Sequence, residues 1–263
     1  MTVLPRPTSL FRTALSNPAA PALGTWVKLP AMESMELVAL AGFDFVVIDL
    51  EHSAMNLESA YRHIGVALFA GVAPIVRIPS LEGGIVQRIL DAGAEGIMLP
   101  HVDTVEQARA AASAVRFPPL GTRGVGSTSR AGRWGAMSRE DYVRYGQEEV
   151  VLIAQIESGE AARNAGAIAA VEGVDCLLIG AADLSQSEGT TEADPRVVEL
   201  IAGAIRDTRA AGVHIGNAGG PTAAAVQASV DAGYSFTLMG NDASILGAGL
   251  AATVAAGRTV RYA

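Results

Sequence analysis

Ala41-Gly42-Phe43-Asp44-Phe45-Val46-Val47-Ile48-Asp49-Leu50-Glu51-His52 decides the fold. A helical stretch stops at Gly42, a residue type that takes positive φ without penalty and so closes helices. Phe45–Asp49 then runs apolar and β-branched with no polar face, the pattern of a strand covered on both sides. It finishes in carboxylates and a histidine. The glycine stop before a strand recurs at Ala92-Gly93, Ala211-Gly212 and Ala232-Gly233. Strands are expected at Thr25–Leu29, Phe45–Asp49, Ala73–Ile78, Gly96–Pro100, Val151–Ile156, Cys176–Ile179, Val213–Asn217 and Phe236–Gly240. Helices are expected between them at Met35–Ala41, Leu57–Phe69, Ile85–Ala92, Thr104–Val115, Ala161–Val171, Pro195–Ala211 and Thr222–Asp231. Eight strand–helix units of similar length, with no polar linker, predict a (β/α)8 TIM barrel occupying 1–263 as a single domain. A doubly wound open sheet is the alternative, but the G-x-G-x-x-G turn that often opens one is missing.

Composition narrows the function. Half of the 263 residues are hydrophobic, enough for a substantial core. A net charge of -8 argues against nucleic acid as a partner, since phosphate binding needs a basic face. Neither a basic-then-apolar leader nor a run long enough to span a bilayer is found, so the expectation is a cytoplasmic enzyme with no membrane partner. The single cysteine, Cys176, lies in an apolar run and reads as a small buried hydrophobe. Lys28 is the only lysine among 19 basic residues, so any Schiff-base chemistry would have to use it.

Two segments interrupt the rhythm. Phe117 to Met137 holds Pro118, Pro119, Arg123, Arg130 and Arg133 among several glycines, and a long connection of this kind is functional or interface-forming. Ser185 to Asp194 reads as a second irregular loop on the same barrel face.

In a barrel, the residues at the C-terminal ends of the strands line the active site. The expected strands place Asp49, Glu51 and His52 after the second, Arg77 at the end of the third and His101 after the fourth. Gln155 and Glu157 end the fifth, Asp183 follows the sixth, and Asn217 ends the seventh. Alternation puts Val47, Asp49 and Glu51 on one face, and Ile153, Gln155 and Glu157 on another. Carboxylates converging at strand ends are costly to bury without a partner. They suit a divalent cation such as Mg²⁺ or Mn²⁺, which keeps positions open for substrate oxygens. Glu157 and Asp183 are the first choice as metal ligands, with Asp49 and Glu51 orienting them. His52 is the candidate base, and Arg77 either receives a substrate anion or pairs with one of the acids.

With these residues in view, the chain resembles the HpcH/HpaI aldolase family of class II, metal-dependent pyruvate aldolases. The matching motifs are Gly42 to His52, Leu90-Asp91-Ala92-Gly93-Ala94-Glu95-Gly96-Ile97-Met98-Leu99-Pro100, Pro118-Pro119-Leu120-Gly121-Thr122-Arg123-Gly124, Gln155-Ile156-Glu157-Ser158, and Glu172-Gly173-Val174-Asp175 through Ala182-Asp183-Leu184-Ser185. The resemblance implies Glu157 and Asp183 as ligands of Mg²⁺, Mn²⁺ or Co²⁺. It implies His52 as the base, paired with Asp91 across a subunit contact, and Arg77 as the group that stabilises an enolate. Gln155 would place the substrate, and the backbone amides of Ala182 and Asp183 would hold its carboxylate. It further implies a homo-oligomer, with a hexamer favoured and a helix exchanged between neighbours. Where the family commonly has Gly-Pro-x-Asp-Leu-Ser, this chain has Gly180-Ala181-Ala182-Asp183-Leu184-Ser185, and losing the proline is expected to loosen the turn.

The expected reaction is reversible cleavage of a 4-hydroxy-2-oxo acid into pyruvate and an aldehyde. The alternatives are a metal-enolate lyase or decarboxylase acting on oxaloacetate or an acyl-CoA thioester, for which Arg123, Arg130 and Arg133 offer a basic rim, and a catalytically silent metabolite-binding homologue.

Overall fold

The computed structural model describes residues 7–262. Eight parallel strands close into a barrel in sequence order, each bonded to the next and β8 back to β1. The elements run α1 (Leu10–Leu15), β1 (Ala22–Val27), α2 (Met32–Ala41), β2 (Phe45–Asp49), α3 (Leu57–Ala70), β3 (Ala73–Arg77), α4 (Ile85–Asp91), β4 (Gly96–Leu99), α5 (Val105–Val115) and α6 (Arg139–Glu148). They continue β5 (Val151–Ile156), α7 (Gly159–Ala169), β6 (Cys176–Ile179), α8 (Ala181–Ser187), α9 (Pro195–Ala210), β7 (His214–Gly219), α10 (Ala223–Ala232), β8 (Phe236–Asn241) and α11 (Asp242–Gly257). The fold is the (β/α)8 TIM barrel that the strand rhythm predicts.

Strand alternation builds two shells. Phe45, Val47, Ala73, Ile75, Met98, Val151, Ile153, Cys176, Leu178, Phe236 and Leu238 fill the barrel, while Val46, Ile48, Val76, Ile97, Leu152 and Leu177 face the helices. Large and small residues interlock inside. A Cβ on Gly24 would stand 2.3 Å from the ring of Phe45, and one on Gly216 would stand 2.2 Å from the ring of Phe236. Those two rings meet a third, Phe11 of α1, at centroid distances of 4.9 and 5.6 Å. Phe11 thereby stoppers the N-terminal end of the barrel, and buried Glu95 accepts from Ser9 Oγ (2.8 Å) and from the Phe11 N–H (3.0 Å) to hold it there.

The two interruptions need correcting. The segment after α5 does not lie on the strand-end face: it packs outside α3 and α4. Arg130 donates to the Tyr61 and Ala92 carbonyls and stacks on the Tyr61 ring at 3.7 Å, while buried Arg123 bonds Asp91 and Tyr142. These two arginines are committed to packing the chain, so they do not supply a phosphate rim. The segment from Ser185 begins inside helix α8, and its far end, Asp194, caps α9 through the Arg196 N–H. In the turn after β6, Ala181 takes the first helical position and the Leu184 N–H reaches the Gly180 carbonyl at 3.0 Å.

Candidate active site

The inward phase of β2, β3 and β5 carries its polar residues to the C-terminal mouth. Asp49 is fully buried and pairs with Arg77 through two bonds, Nε to Oδ1 at 3.0 Å and Nη2 to Oδ2 at 2.7 Å. Register sets this up, because Asp49 and Arg77 are directly opposite in the β2–β3 ladder. The backbone N–H groups of Glu51 and His52 also donate to Asp49 Oδ1. Burial pushes the Asp49 carboxyl up, but the Arg77 bonds and charge, with the two amides, overcome it and hold the group below the ordinary aspartate value. Arg77 lies over the Trp26 ring at 4.2 Å and turns its remaining nitrogen, Nη1, toward Glu51 Oε2 at 3.0 Å. Glu51 Oε2 is buried and makes no aligned hydrogen bond. Of the two readings of Arg77, the ion pair is present: two nitrogens bond Asp49 and the third faces Glu51.

The opposite half of the mouth is less satisfied. Glu157 is buried; its Oε1 accepts from Gln155 Nε2 at 2.9 Å and its Oε2 from the His101 N–H at 3.0 Å. Burial drives its carboxyl up, and the charges of Asp183 and Glu51 add to the rise against the His101 amide and ring. Gln155 Oε1 is buried without a partner. Gly180 is needed where it is, since a Cβ there would meet Glu157 Cγ at 2.8 Å. Asp183 is exposed in the first turn of α8, where helix N–H groups have no intrahelical acceptor.

His101 is the residue that sequence reasoning left undecided. It sits in the left-handed region at φ 55°, which brings its Nδ1 to 3.2 Å from Glu157 and its Nε2 to 3.6 Å from Glu51. Its only sequence signal is its place just past the fourth strand. His52 stands beside the cluster, exposed, with Nε2 3.8 Å from Glu51 Oε2. Asp91 is elsewhere: its Oδ1 accepts from Arg123 and from the Tyr142 hydroxyl (2.8 Å) at the end of α4, so one chain alone does not pair it with His52. Asn217 also drops out of the mouth. Gly216 takes the inward position of β7, and Asn217 Nδ2 points outward to Ser229 on α10 at 3.0 Å.

The donor set can be tested against a divalent cation. Among the described residues no three His, Cys, Asp or Glu side chains form a cage. Glu157 and Asp183 offer two carboxylates, which is how Mg²⁺ is commonly held, the rest of its shell being water and substrate. Four carboxylates, Asp49, Glu51, Glu157 and Asp183, face two fixed cations, Arg77 and Lys28, so two negative charges are uncompensated when the histidines are neutral. The residues fit a dication.

A family model of HpcH/HpaI aldolases and citrate lyases matches residues 22–246. The chain belongs to this family. It is a carbon–carbon lyase, the class spanned by the family's description. Class II aldolases of the family are metal-dependent. The chain is 36% identical to a 2-dehydro-3,6-dideoxy-6-sulfogluconate aldolase of Pseudomonas putida, over 88% of this chain and 90% of that one. It is 38% identical to a hydroxypyruvate/pyruvate aldolase of Cupriavidus necator, over 88% and 86%. The crystal structure of an HpcH/HpaI aldolase from Desulfitobacterium hafniense superposes with a TM-score of 0.86 at 31% identity, covering 92% of this chain and 94% of that one.

Proposed function

We propose that this HpcH/HpaI family member is a class II aldolase that reversibly cleaves a 4-hydroxy-2-oxo acid into pyruvate and an aldehyde, with Mg²⁺, Mn²⁺ or Co²⁺ held by Glu157 and Asp183. The observation that carries the reading is the contrast in compensation across the mouth: Asp49 is matched by Arg77, while Glu157 is buried beside like charges. When bound, the cation supplies Lewis-acid stabilisation of negative charge developing on substrate oxygens. Arg77, locked at two nitrogens by Asp49, shares its third between Glu51 and the same developing charge. Gln155 fixes Glu157 and keeps an acceptor for the substrate, and the first-turn amides of Ala182 and Asp183 receive the substrate carboxylate. His52 takes the proton from the C4 hydroxyl as the C3–C4 bond breaks, and Glu51 orients its ring. Asp91 would reach His52 only across a subunit contact.

The oligomer belongs to the same proposal. From Ser244 onward α11 is exposed along its length, with Ile245, Leu246, Leu250 and Val254 each about half exposed or more. Leu37 and Leu40 of α2 are exposed at 67% and 84%. Apolar surface of this kind marks an association face, and we assign it to a helix exchanged between neighbours in a homo-oligomer, a hexamer in the favoured form. Leu250→Asp is expected to shift the protein to smaller species in analytical ultracentrifugation; an unchanged sedimentation profile would remove α11 from the interface. Among the described residues no helix is long and apolar enough to cross a membrane, and a cytoplasmic enzyme is the proposed setting.

The deciding experiment is pyruvate release from a panel of 4-hydroxy-2-oxo acids by EDTA-stripped protein, with and without added Mg²⁺, Mn²⁺ or Co²⁺. Release restored by metal, and lost with metal retention in Glu157→Ala and Asp183→Ala, is the expected result. Near-normal turnover in both variants would overturn the ligand assignment. A Schiff base has less support, because the ammonium of Lys28 lies 3.4 Å from Asp49; borohydride with pyruvate should leave the chain unmodified.

A further inference from the structure

Lys28 is not needed where it stands. Asp49, its ion-pair partner, already receives two bonds from Arg77 and two from backbone amides. The Lys28 ammonium is 3.4 Å from Asp49 Oδ2, longer than the roughly 2.7–2.9 Å of a charge-assisted bond, and makes no side-chain hydrogen bond among the described residues. Its side chain is 29% exposed at the mouth. The Lys28 tip is therefore the least constrained of the groups around Asp49.

This chain uses arginine at every other basic position, and keeps lysine only here. Lysine presents a compact ammonium with three donors on a flexible stem, whereas arginine presents a wide planar fork.

The backbone of Lys28 is held firmly although its tip is not. Asp242, buried at the root of α11, accepts from the Lys28 N–H (2.9 Å), the Leu29 N–H (3.1 Å) and Ser34 Oγ (2.6 Å). Position completes the case. Lys28 follows β1, and in an eight-stranded barrel β1 stands across the mouth from β5, which carries Gln155 and leads to Glu157. A substrate anchored by its oxo-acid end near Glu157 and Asp183 extends its far end toward β1 and β2.

We infer that Lys28 is a specificity residue that binds an anionic group at the aldehyde-derived end of the substrate, so that the preferred substrates carry a carboxylate or phosphate there. The inference rests on the aldolase reading above and narrows its substrate class.

The test compares 4-hydroxy-2-oxo acids of equal length ending in a neutral hydroxymethyl group, a carboxylate or a phosphate, on the metal-loaded full-length enzyme. The quantity read is the ratio of kcat/KM for an anionic over the neutral tail. One charge-assisted hydrogen bond is worth about a ten- to hundredfold effect. Lys28→Met should therefore lower the ratio by about that factor, chiefly through KM, and Lys28→Arg should restore part of it. A preference confined to the carboxylate or to the phosphate tail supports the inference and identifies the anion. Equal losses on charged and neutral tails, or a ratio that moves less than about threefold, overturn it. Exchange of the pyruvate methyl protons in D2O, followed by NMR, separates the two readings. Exchange retained in the wild type while the ratio stays fixed defeats the Lys28 inference alone. Exchange absent from the wild type defeats the aldolase reading, and the inference falls with it.

Discussion

The two halves of the barrel mouth contain the same kind of side chain in opposite conditions. On the β2–β3 side, Asp49 is sealed from water, yet two guanidinium bonds and two amides compensate it and its carboxyl is held below the usual range. On the β5–β6 side, Glu157 is nearly as buried, has only amide donors and a histidine for company, and faces two further carboxylates. The first arrangement is finished within the chain; the second leaves a carboxyl raised by burial and like charges, which is where the proposed cation would sit. The comparison teaches where rigidity ends and binding begins. In the proposed reading the compensated pair holds Arg77 in place, and the uncompensated carboxylates attract a cation.

Removing the finished pair should have the largest effect. Asp49→Asn removes the charge opposite Arg77 and puts an NH2 where Oδ2 accepted from Nη2, so the buried guanidinium keeps one neutral acceptor and the unaligned Glu51 contact. Breaking a buried ion pair costs about 3–5 kcal/mol. Thermal unfolding should register this as a fall in Tm of about 6–12 °C for the lower figure. The pH dependence follows from the direction of the shift. A carboxyl held below its unfolded value contributes stability that is complete above about pH 4 and lost as pH falls through the folded value. The variant should therefore lack part of the wild type's acid limb. A Tm within a degree of wild type would show that Arg77 is held by something else.

Much of this contrast is written in the chain. Phe45–Asp49, Val151–Ile156 and Cys176–Ile179 have the same bounds in the structure as in the sequence pattern, because buried strands flanked by glycine stops leave little freedom. Alternation within them then places Asp49 and Gln155 inward. The first strand was less legible: it is Ala22–Val27 rather than Thr25–Leu29, since Gly24 resembles a breaker and serves instead to admit the Phe45 ring. Helix α11 has no polar face, so helical periodicity gives it no signal. Asn217 was misplaced because the phase of a strand rich in small residues cannot be read without its neighbours. His101 was illegible for another reason: its role depends on a left-handed backbone and on Glu157, 56 residues away.

The unfinished half predicts the opposite kind of variant. Glu157→Gln keeps an acceptor for the His101 amide but removes a charge that burial and like charges disfavour. With Glu157 as the proposed metal ligand, losing its charge should lower turnover by at least about a hundredfold. In metal-stripped protein, however, the variant should melt at or above the wild-type temperature. A carboxyl raised above its unfolded value contributes stability present at low pH and lost as pH rises through the folded value. The gap in Tm should thus widen from mildly acidic toward neutral pH. A variant that is inactive and also less stable at every pH would make Glu157 a structural acid like Asp49, and the comparison would collapse.

The smallest effect concerns the backbone that joins the halves. His101 lies at φ 55°, where an L-residue costs about 1–2 kcal/mol and glycine does not. His101→Gly and His101→Ala both delete the ring that spans Glu51 and Glu157, and they differ in whether the turn is still strained. The glycine variant should be the more stable of the two by about 1 kcal/mol in urea titrations at neutral pH. Equal stabilities would mean that the turn relaxes once the ring is gone, so that the ring's contacts with the two carboxylates, rather than the chain's path after β4, impose the left-handed conformation.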